Sequence, residues 1–579
     1  MPIPPQRGTI TDRNGIVLAR NVASYALVLT PDRLEETPQD AIRDLSAIVP
    51  ISQRDIRRFY RALQNSRRFE SVPLLFHMSY PEAARFAANQ YRFPGVELQA
   101  RFFRQYPFAD AAAQVVGYVG RLSNRDQERI HDESEENDAG HDGFDPHLAA
   151  SNYRGTEYIG KSGVEQSYEA CLHGLTGNKL VEITASGQPV RELSEVPASS
   201  GDDLRLTIDI GLQAAAEHAF AGRRGALVAL APATGEVLAF VSSPSFDPNL
   251  FVEGIDQEDW NRLSQSPDKP LLDRPLYGTY APGSTYKPFM ALAALKLHAR
   301  TREWGMHDPG FYMFGGHKFR NDVAAGQGWI DMYRSIVVSN DTYYFMLAHD
   351  LGVDAIAKFM SQWGFGHKTG IDLQGEAVGV LPSTKWKMSA FKSPIQQRWY
   401  DGETVSLGIG QGYNSFTILQ LAHAVATLAN GGSVTTPHVV LEIDSPTAHT
   451  HHVVVKAATT AVDVNQSDLE FVRSAMVGVV TEGLAKRVFA GAPYSVGGKT
   501  GTAQVVSIAP DRHYHAGGLP TSLRDNSLFV AFAPAEHPTI ALAVVVENGG
   551  WGAESAGPLA RQVLDYYFSH SSSKTAPSP

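Results

Sequence analysis

The sequence predicts an α/β chain of the α+β kind, in which a mixed N-terminal domain precedes a larger domain built on one helix-covered sheet. Three observations carry this. The chain has 579 residues, too many for one ordinary domain, and its 43% hydrophobic and 10% aromatic content suits large buried cores. Strand-length apolar runs stand at both ends of the stretch after residue 203, with helical sequence between them, so one sheet must be assembled from distant segments. Val196-Pro197-Ala198-Ser199-Ser200-Gly201-Asp202-Asp203 has linker composition and marks the boundary.

The elements follow in order. Residues 1–196 hold short strand-like runs (Tyr25 to Leu29) and helical patches (Glu82 to Asn89). The acidic, Gly/Asp/Asn-rich stretch Asp126 to Pro146 is expected to be a long solvated loop. The second domain, residues 202–568, opens with a strand (Leu204 to Ile208) and a helix from Ile210 to about Ala219. Strands over Gly225 to Leu230 and Glu236 to Val241 are split by a turn at Pro232 to Gly235. Helices and loops run to about Gly432, before strands at Thr502 to Ile508, Asn526 to Ala533 and Ile540 to Glu547. A helix from Gly557 to about Phe568 closes the domain, and the Ser/Pro-rich tail 569–579 is expected to be disordered.

Composition excludes several roles. The net charge is −11 and no basic stripe stands out, which argues against a nucleic-acid partner. Cys171 is the only cysteine, so there is no intrachain disulfide and no cysteine metal cluster; its neighbours suit a small buried apolar residue. No apolar stretch approaches the ~20 residues of a membrane helix, and no signal peptide is recognisable. Taken alone, this reads as cytoplasmic. No internal repeat is found.

The chemistry centres on Ala281-Pro282-Gly283-Ser284-Thr285-Tyr286-Lys287-Pro288, which runs into the apolar Phe289 to Leu295. Gly and Pro before it and helical sequence after it put Ser284 at a helix start, and Pro288 is tolerated in a first turn. Ser284 and Lys287 are i and i+3, sharing a face, so a lysine of lowered pKa can act as base for the hydroxyl. The helix N-terminus supplies amides where an oxyanion would form. Taken singly, the pair reads equally well as an N-cap serine with a solvated lysine. Ser-x-x-Lys also occurs at Ser266/Lys269, Ser389/Lys392 and Ser571/Lys574.

Companions decide between them. Ser339-Asn340-Asp341 and Lys499-Thr500-Gly501-Thr502 follow in the order Ser-x-x-Lys, Ser-x-Asn, Lys-Thr-Gly, with Asp in the last place of the second motif. A decoy stands at Lys368-Thr369-Gly370, in what reads as a loop after a helix. Lys499 instead follows Gly497-Gly498 and leads into strand sequence, where small residues let a substrate backbone pair along the edge.

With these motifs the chain resembles the class B penicillin-binding proteins, and more narrowly those of rod elongation. The resemblance covers nearly the whole chain: Pro5 to Gly15, Gly160 to Glu165, Pro244 to Asn249, Thr369 to Leu373 and Gly408 to Tyr413. It implies a penicillin-binding transpeptidase domain of serine β-lactamase-like fold, an antiparallel sheet covered by helices, on an elongated pedestal of the dimerisation-domain type (1–196). It also implies a single N-terminal membrane helix before the Arg-Gly motif. Only six residues precede Arg7, so the anchor is expected to have been trimmed, and the native location to be the periplasmic face of the inner membrane. The implied activity is D,D-transpeptidation of peptidoglycan stem peptides ending in D-Ala-D-Ala, with β-lactams as covalent inhibitors. Implied partners are a membrane glycosyltransferase and elongation scaffold proteins.

The implied roles are as follows. Lys287 takes the Ser284 proton, amides of Ser284 and Thr502 hold the oxyanion, and Ser339 relays a proton to the leaving nitrogen. Lys499, Thr500 and Thr502, with Gly501 between them, bind the terminal carboxylate, and Lys499 disfavours charge on Lys287. Asp341 stands where division-type members have Asn, and its carboxylate could pair with either lysine. Some elongation-type relatives hold a structural zinc with two Asp, a His and a Cys. Asp308 and Asp322 match two of these, but Gln327 falls where the His should be and no Cys is near, so no metal and no cofactor is expected. His451, His452, His513 and His515 read as loop residues. Two other functions stay open: a D,D-carboxypeptidase or β-lactamase, in which water resolves the acyl-enzyme, and a non-catalytic β-lactam sensor. Residues 1–196 show no glycosyltransferase-like segment, which argues against a bifunctional enzyme.

Overall fold

The structure, a computed structural model, describes residues 2–64, 66, 71–139, 147, 149–183, 189–454, 458–505, 520 and 523–571. Its centre is a five-stranded sheet in the order Val237–Ser243, Gly225–Leu230, Ile540–Val546, Asn526–Ala533, Gly497–Ala503, antiparallel throughout. Every residue of 225–230 and 540–546 is buried, so helices must cover both faces. The helix Ile418–Ala429, buried along its whole length, packs on three of these strands. The helices Ile210–Phe220 and Ala556–Ser571 pack on one another and on the sheet. The edge strand Gly497–Ala503 carries Lys499 opposite Val530.

A seven-stranded sheet joins the two ends of the N-terminal region to the rest. Ile10–Thr11 runs parallel to Asp203–Leu206, which pairs antiparallel with Val440–Ser445. On its other side lie Val17–Leu29, Val72–Met78 and Val96–Gln105. A buried ionic cluster holds this region: Arg7 and Arg104 both grip Glu165 (2.5 and 2.7 Å), and Arg7 also reaches Glu169 (2.7 Å). Gly8 and Gly160 are pressed against backbone, where a Cβ would sit 1.8 Å from Asp202 O and 1.9 Å from Glu165 O. These two glycines of the Arg-Gly and Gly-Lys-Ser-Gly segments are required by close approach.

Several expectations are revised. The acidic stretch forms a helix, Asn124–Ala139, as far as it is described; residues 140–146 lie outside the described residues. Ser123 and Asp126 cap each other's amides at its start, Arg129 pairs with Glu133 one turn on, and Ile130 is buried, which together override a loop-like composition. The strand expected to begin at Thr502 instead spans Gly497–Ala503, because both glycines can be buried against Phe532 and Phe529. The segment of linker composition is stitched down: Gly201 N donates to Gln6 O and Asp202 N to Cys171 O. Cys171 is half-buried rather than enclosed. His451 and His452 lie on the exposed strand Thr450–Val453 rather than in a loop, with His451 paired to Asp444; His513 and His515 lie outside the described residues. The last helix continues to Ser571, past the expected start of the tail, and residues 572–579 lie outside the described residues.

Candidate active site

The segment holding Ser284 starts as a 3-10 turn, Gly283–Tyr286, and becomes an α-helix only at Lys287–Lys296. The helix therefore begins three residues later than the sequence suggested, with Pro288 in its first turn, where no amide is needed. The turn sits directly against the edge strand. A Cβ on Gly283 (φ +54°) would come within 2.6 Å of Thr502 O, and one on Gly501 within 2.8 Å of the Thr285 side chain. Larger residues at either place would push the serine away from the strand. Gly410 O accepts from Gly283 N (3.0 Å), and Gln411 Nε2 donates to Thr502 O (3.0 Å), so the Gly408–Tyr413 segment braces both walls. That bracing role escaped the sequence reading, although the Gly-rich motif itself was visible.

Lys287 is fully buried and directs its amine to Ser339 O (2.7 Å), Ser339 Oγ (3.2 Å) and Asp341 Oδ1 (2.6 Å). Lys499, equally buried, donates to the same Ser339 Oγ (2.8 Å) and to Thr500 O (3.2 Å). Ser339 thus bridges two lysines that are far apart in sequence. Burial and then repulsion from Lys287 drive Lys499 well below the ordinary lysine range, against the pull of Asp341 and Asp322. Ser284 is half-buried in the turn, three residues before Lys287. By strand alternation Thr500 and Thr502 point away from the Lys499 face; Thr500 is buried and Thr502 half-exposed.

The competing motifs sit elsewhere. Ser389 is exposed and donates to Trp386 O, Ser266 Oγ accepts from the amide of Asp268, and Lys574 lies outside the described residues. In the second Lys-Thr-Gly copy Lys368 is exposed, and the amides of Thr369 and Gly370 donate to Glu376.

Asp308 does not fit a zinc ligand. Its carboxylate accepts four N–H donors: Gly310 N on Oδ1 (2.8 Å), and Asn321 Nδ2 (2.8 Å), Gln327 N (3.0 Å) and Asn340 Nδ2 (2.7 Å) on Oδ2. Three donors crowd Oδ2, more than its two lone pairs, while Oδ1 carries the Gly310 amide. Asp322 is exposed, and Gln327 offers an amide in place of an imidazole.

Residues 225–565 match the penicillin binding protein transpeptidase domain family, and residues 2–206 match the penicillin-binding protein dimerisation domain family. The chain belongs to the class B penicillin-binding proteins of the PBP2 type. It is 38% identical over 577 residues to the peptidoglycan D,D-transpeptidase MrdA of Escherichia coli, covering 98% of this chain and 87% of that protein. Its identity with the Acinetobacter baumannii MrdA is 40% over 573 residues, 98% of this chain and 81% of the relative. Among solved structures, Pseudomonas aeruginosa PBP2 in complex with WCK 5153 superposes with a TM-score of 0.70 at 36% identity, covering 98% of this chain and 96% of that one. The complex of Helicobacter pylori PBP2 with MreC gives 0.79 at 27% identity, covering 98% of each chain. As a penicillin-binding protein the chain is an enzyme, and its transpeptidase domain is the one holding Ser284, Ser339 and Lys499. Among the described residues, no helix of this penicillin-binding protein is long and apolar enough to cross a membrane.

Proposed function

We propose that this penicillin-binding protein cross-links peptidoglycan stem peptides during cell elongation through an acyl-enzyme on Ser284. It is a peptidoglycan D,D-transpeptidase, inhibited covalently by β-lactams. The observation that carries the assignment of residues is the chain Lys287–Ser339–Lys499, in which one hydroxyl receives both amines at 3.2 and 2.8 Å beside the edge strand.

The arrangement supports the following sequence. The donor peptide lies along Gly497–Ala503, with its terminal carboxylate against Thr500 and Thr502 and under the charge of Lys499 on the opposite face of the strand, while Gly501 lets the Ser284 turn pack against the strand. An anion there favours the charged form of Lys499. The proton comes from Lys287, handed through Ser339, and leaves Lys287 as a neutral amine. Lys287 then takes the Ser284 proton as Oγ attacks the penultimate D-Ala carbonyl, with the amides of Ser284 and Thr502 on the oxyanion. Asp341 orients the amine throughout. Ser339 returns a proton to the leaving D-Ala nitrogen, and an amine from a neighbouring stem peptide resolves the ester. Residues 1–196 serve as a pedestal for the catalytic domain (202–568). They hold it at the periplasmic face of the inner membrane and contact a membrane glycosyltransferase and elongation scaffold proteins; the Helicobacter pylori relative forms a complex with MreC.

Incubation with penicillin tests the core of this. Mass spectrometry should find one adduct per chain, on the peptide containing Ser284. An adduct on Ser266, Ser389 or Ser571, or none, would overturn the assignment.

A further inference from the structure

The turn carrying Ser339 has an unusual backbone. It links the helices Met332–Val337 and Asp341–Leu351, and Ser339 itself adopts φ +58°, a left-handed conformation that a serine takes only when its surroundings impose it. The two lysines bond Ser339 itself, at its carbonyl and its Oγ.

The back of the turn is gripped by four polar side chains. Gln327 Nε2 donates to Val338 O (3.3 Å), just before Ser339. Asn340, just after it, is fully buried; its Nδ2 donates to Asp308 Oδ2 (2.7 Å) and Gln327 Oε1 (2.8 Å), and its Oδ1 accepts from Tyr343 N (2.8 Å). Asn321 Oδ1 accepts from Asp341 N (3.1 Å), while its Nδ2 donates to Asp308 Oδ2 (2.8 Å) and Gln327 Oε1 (3.2 Å). Asp308, 1% exposed, stands at the hub. Both protons on each asparagine amide are used, and Oδ2 of Asp308 takes three donors, so neither asparagine amide is free to flip.

We propose that Asp308, Asn321, Gln327 and Asn340 form a metal-independent clamp that positions Ser339 between Lys287 and Lys499. These are positioning residues: none reaches the reacting atoms, and they act only through the turn. The proposal rests on Ser339 being the relay of the proposed function. A single ionised acceptor gathering amides from three chain segments does here what a bound cation gathering carboxylates would do, with opposite sign of charge at the centre.

The test is a double-mutant cycle on acylation by a chromogenic cephalosporin, with thermal melting followed in parallel. Asp308→Asn turns an acceptor into a donor facing Asn321 and Asn340. It should slow acylation by ~10²-fold, the scale of a catalytic group displaced by about 1 Å. In the Ser339→Ala background the same change should alter the already slowed rate less than about twofold, while lowering the melting temperature equally in both backgrounds. Gln327→Ala, at a half-buried position, provides the same comparison should Asp308→Asn fail to fold. An equal slowing with and without Ser339 would overturn the clamp, and so would wild-type acylation by a folded clamp variant. Ser339→Ala acylating at the wild-type rate would instead overturn the relay reading beneath it. Loss of activity on treatment with a chelator, restored by zinc, would overturn metal independence.

Discussion

Lys287 Nζ lies 2.6 Å from Asp341 Oδ1, closer than its 3.2 Å from Ser339 Oγ, so the lysine expected to act as base is held as half of a buried ion pair. The cation driven toward neutrality is its neighbour Lys499. This reverses the simple expectation that Lys499 keeps Lys287 uncharged, and makes substrate binding the step that moves the proton. Removing one partner of a buried pair leaves an uncompensated charge. Asp341→Ala is therefore expected to cost about 3 kcal/mol of stability in a denaturant melt. Asp341→Asn, which keeps an acceptor for Lys287, should recover much of that loss. Equal stability of the Ala variant and the wild type would show that the pair does not hold the site.

The two Lys-Thr-Gly copies make a sharper comparison. Lys499→Ala removes one end of the Lys287–Ser339–Lys499 chain and should slow penicillin acylation by ~10²-fold or more. Lys368→Ala alters an exposed side chain and should leave the acylation rate unchanged. A large effect at Lys368 would mean that the wrong strand has been assigned to substrate.

What was legible in the sequence depended on whether one segment could signal alone. The strands at 225–230 and 526–533 could, since buried strands read as unbroken apolar runs. Ser284 and Lys499 needed one another and Ser339, because each motif alone has copies elsewhere in the chain. The clamp behind Ser339 was not legible: Asn321, Gln327 and Asn340 are ordinary polar residues until the turn brings them together around Asp308. The helix Asn124–Ala139 was missed for a related reason, because its cap and its buried Ile130 supply what its acidic composition lacks.

A pH effect is expected where residues 1–196 meet the catalytic domain. Glu217, on the helix Ile210–Phe220, accepts from Ala112 N (2.9 Å) and Gln213 Nε2 (2.8 Å), and burial pushes its carboxyl up to about 7. An acid with a raised folded-state pKa contributes stability that is full below its unfolded value and is lost as pH rises through the folded one. Between pH 5 and pH 8 the wild type should lose on the order of 3 kcal/mol relative to Glu217→Gln, measured as the difference between their denaturant midpoints. Parallel pH profiles for the two proteins would rule this out.

Metal content follows from the amide contacts that already engage both oxygens of Asp308. Elemental analysis of protein purified without chelator should find far less than one zinc per chain. Stoichiometric zinc would require the Asp308 amide contacts to be broken and other ligands recruited.

The last prediction separates folding from coupling in the pedestal. Glu165 is its ionic hub: burial opposes its charge, but Arg104 and Arg7 outweigh burial and hold its carboxyl below the usual range. Glu165→Gln would leave the buried Arg104 without a carboxylate and Arg7 with Glu169 alone, and should cost about 3 kcal/mol, with acylation lost only as the protein melts. Lys161 lies in the same Gly-Lys-Ser-Gly segment, but its half-buried amine pairs with the single carboxylate of Asp126. Its Lys161→Glu variant should therefore lose less stability than Glu165→Gln and acylate at the wild-type rate in solution. If this face also couples the enzyme to a polymerase or scaffold, the same variant in a membrane-anchored form should fail to support rod-shaped growth despite normal penicillin binding. Loss of both stability and acylation would place Lys161 with Glu165 among the residues that hold the pedestal together. Normal growth would confine any coupling surface to another face of the pedestal.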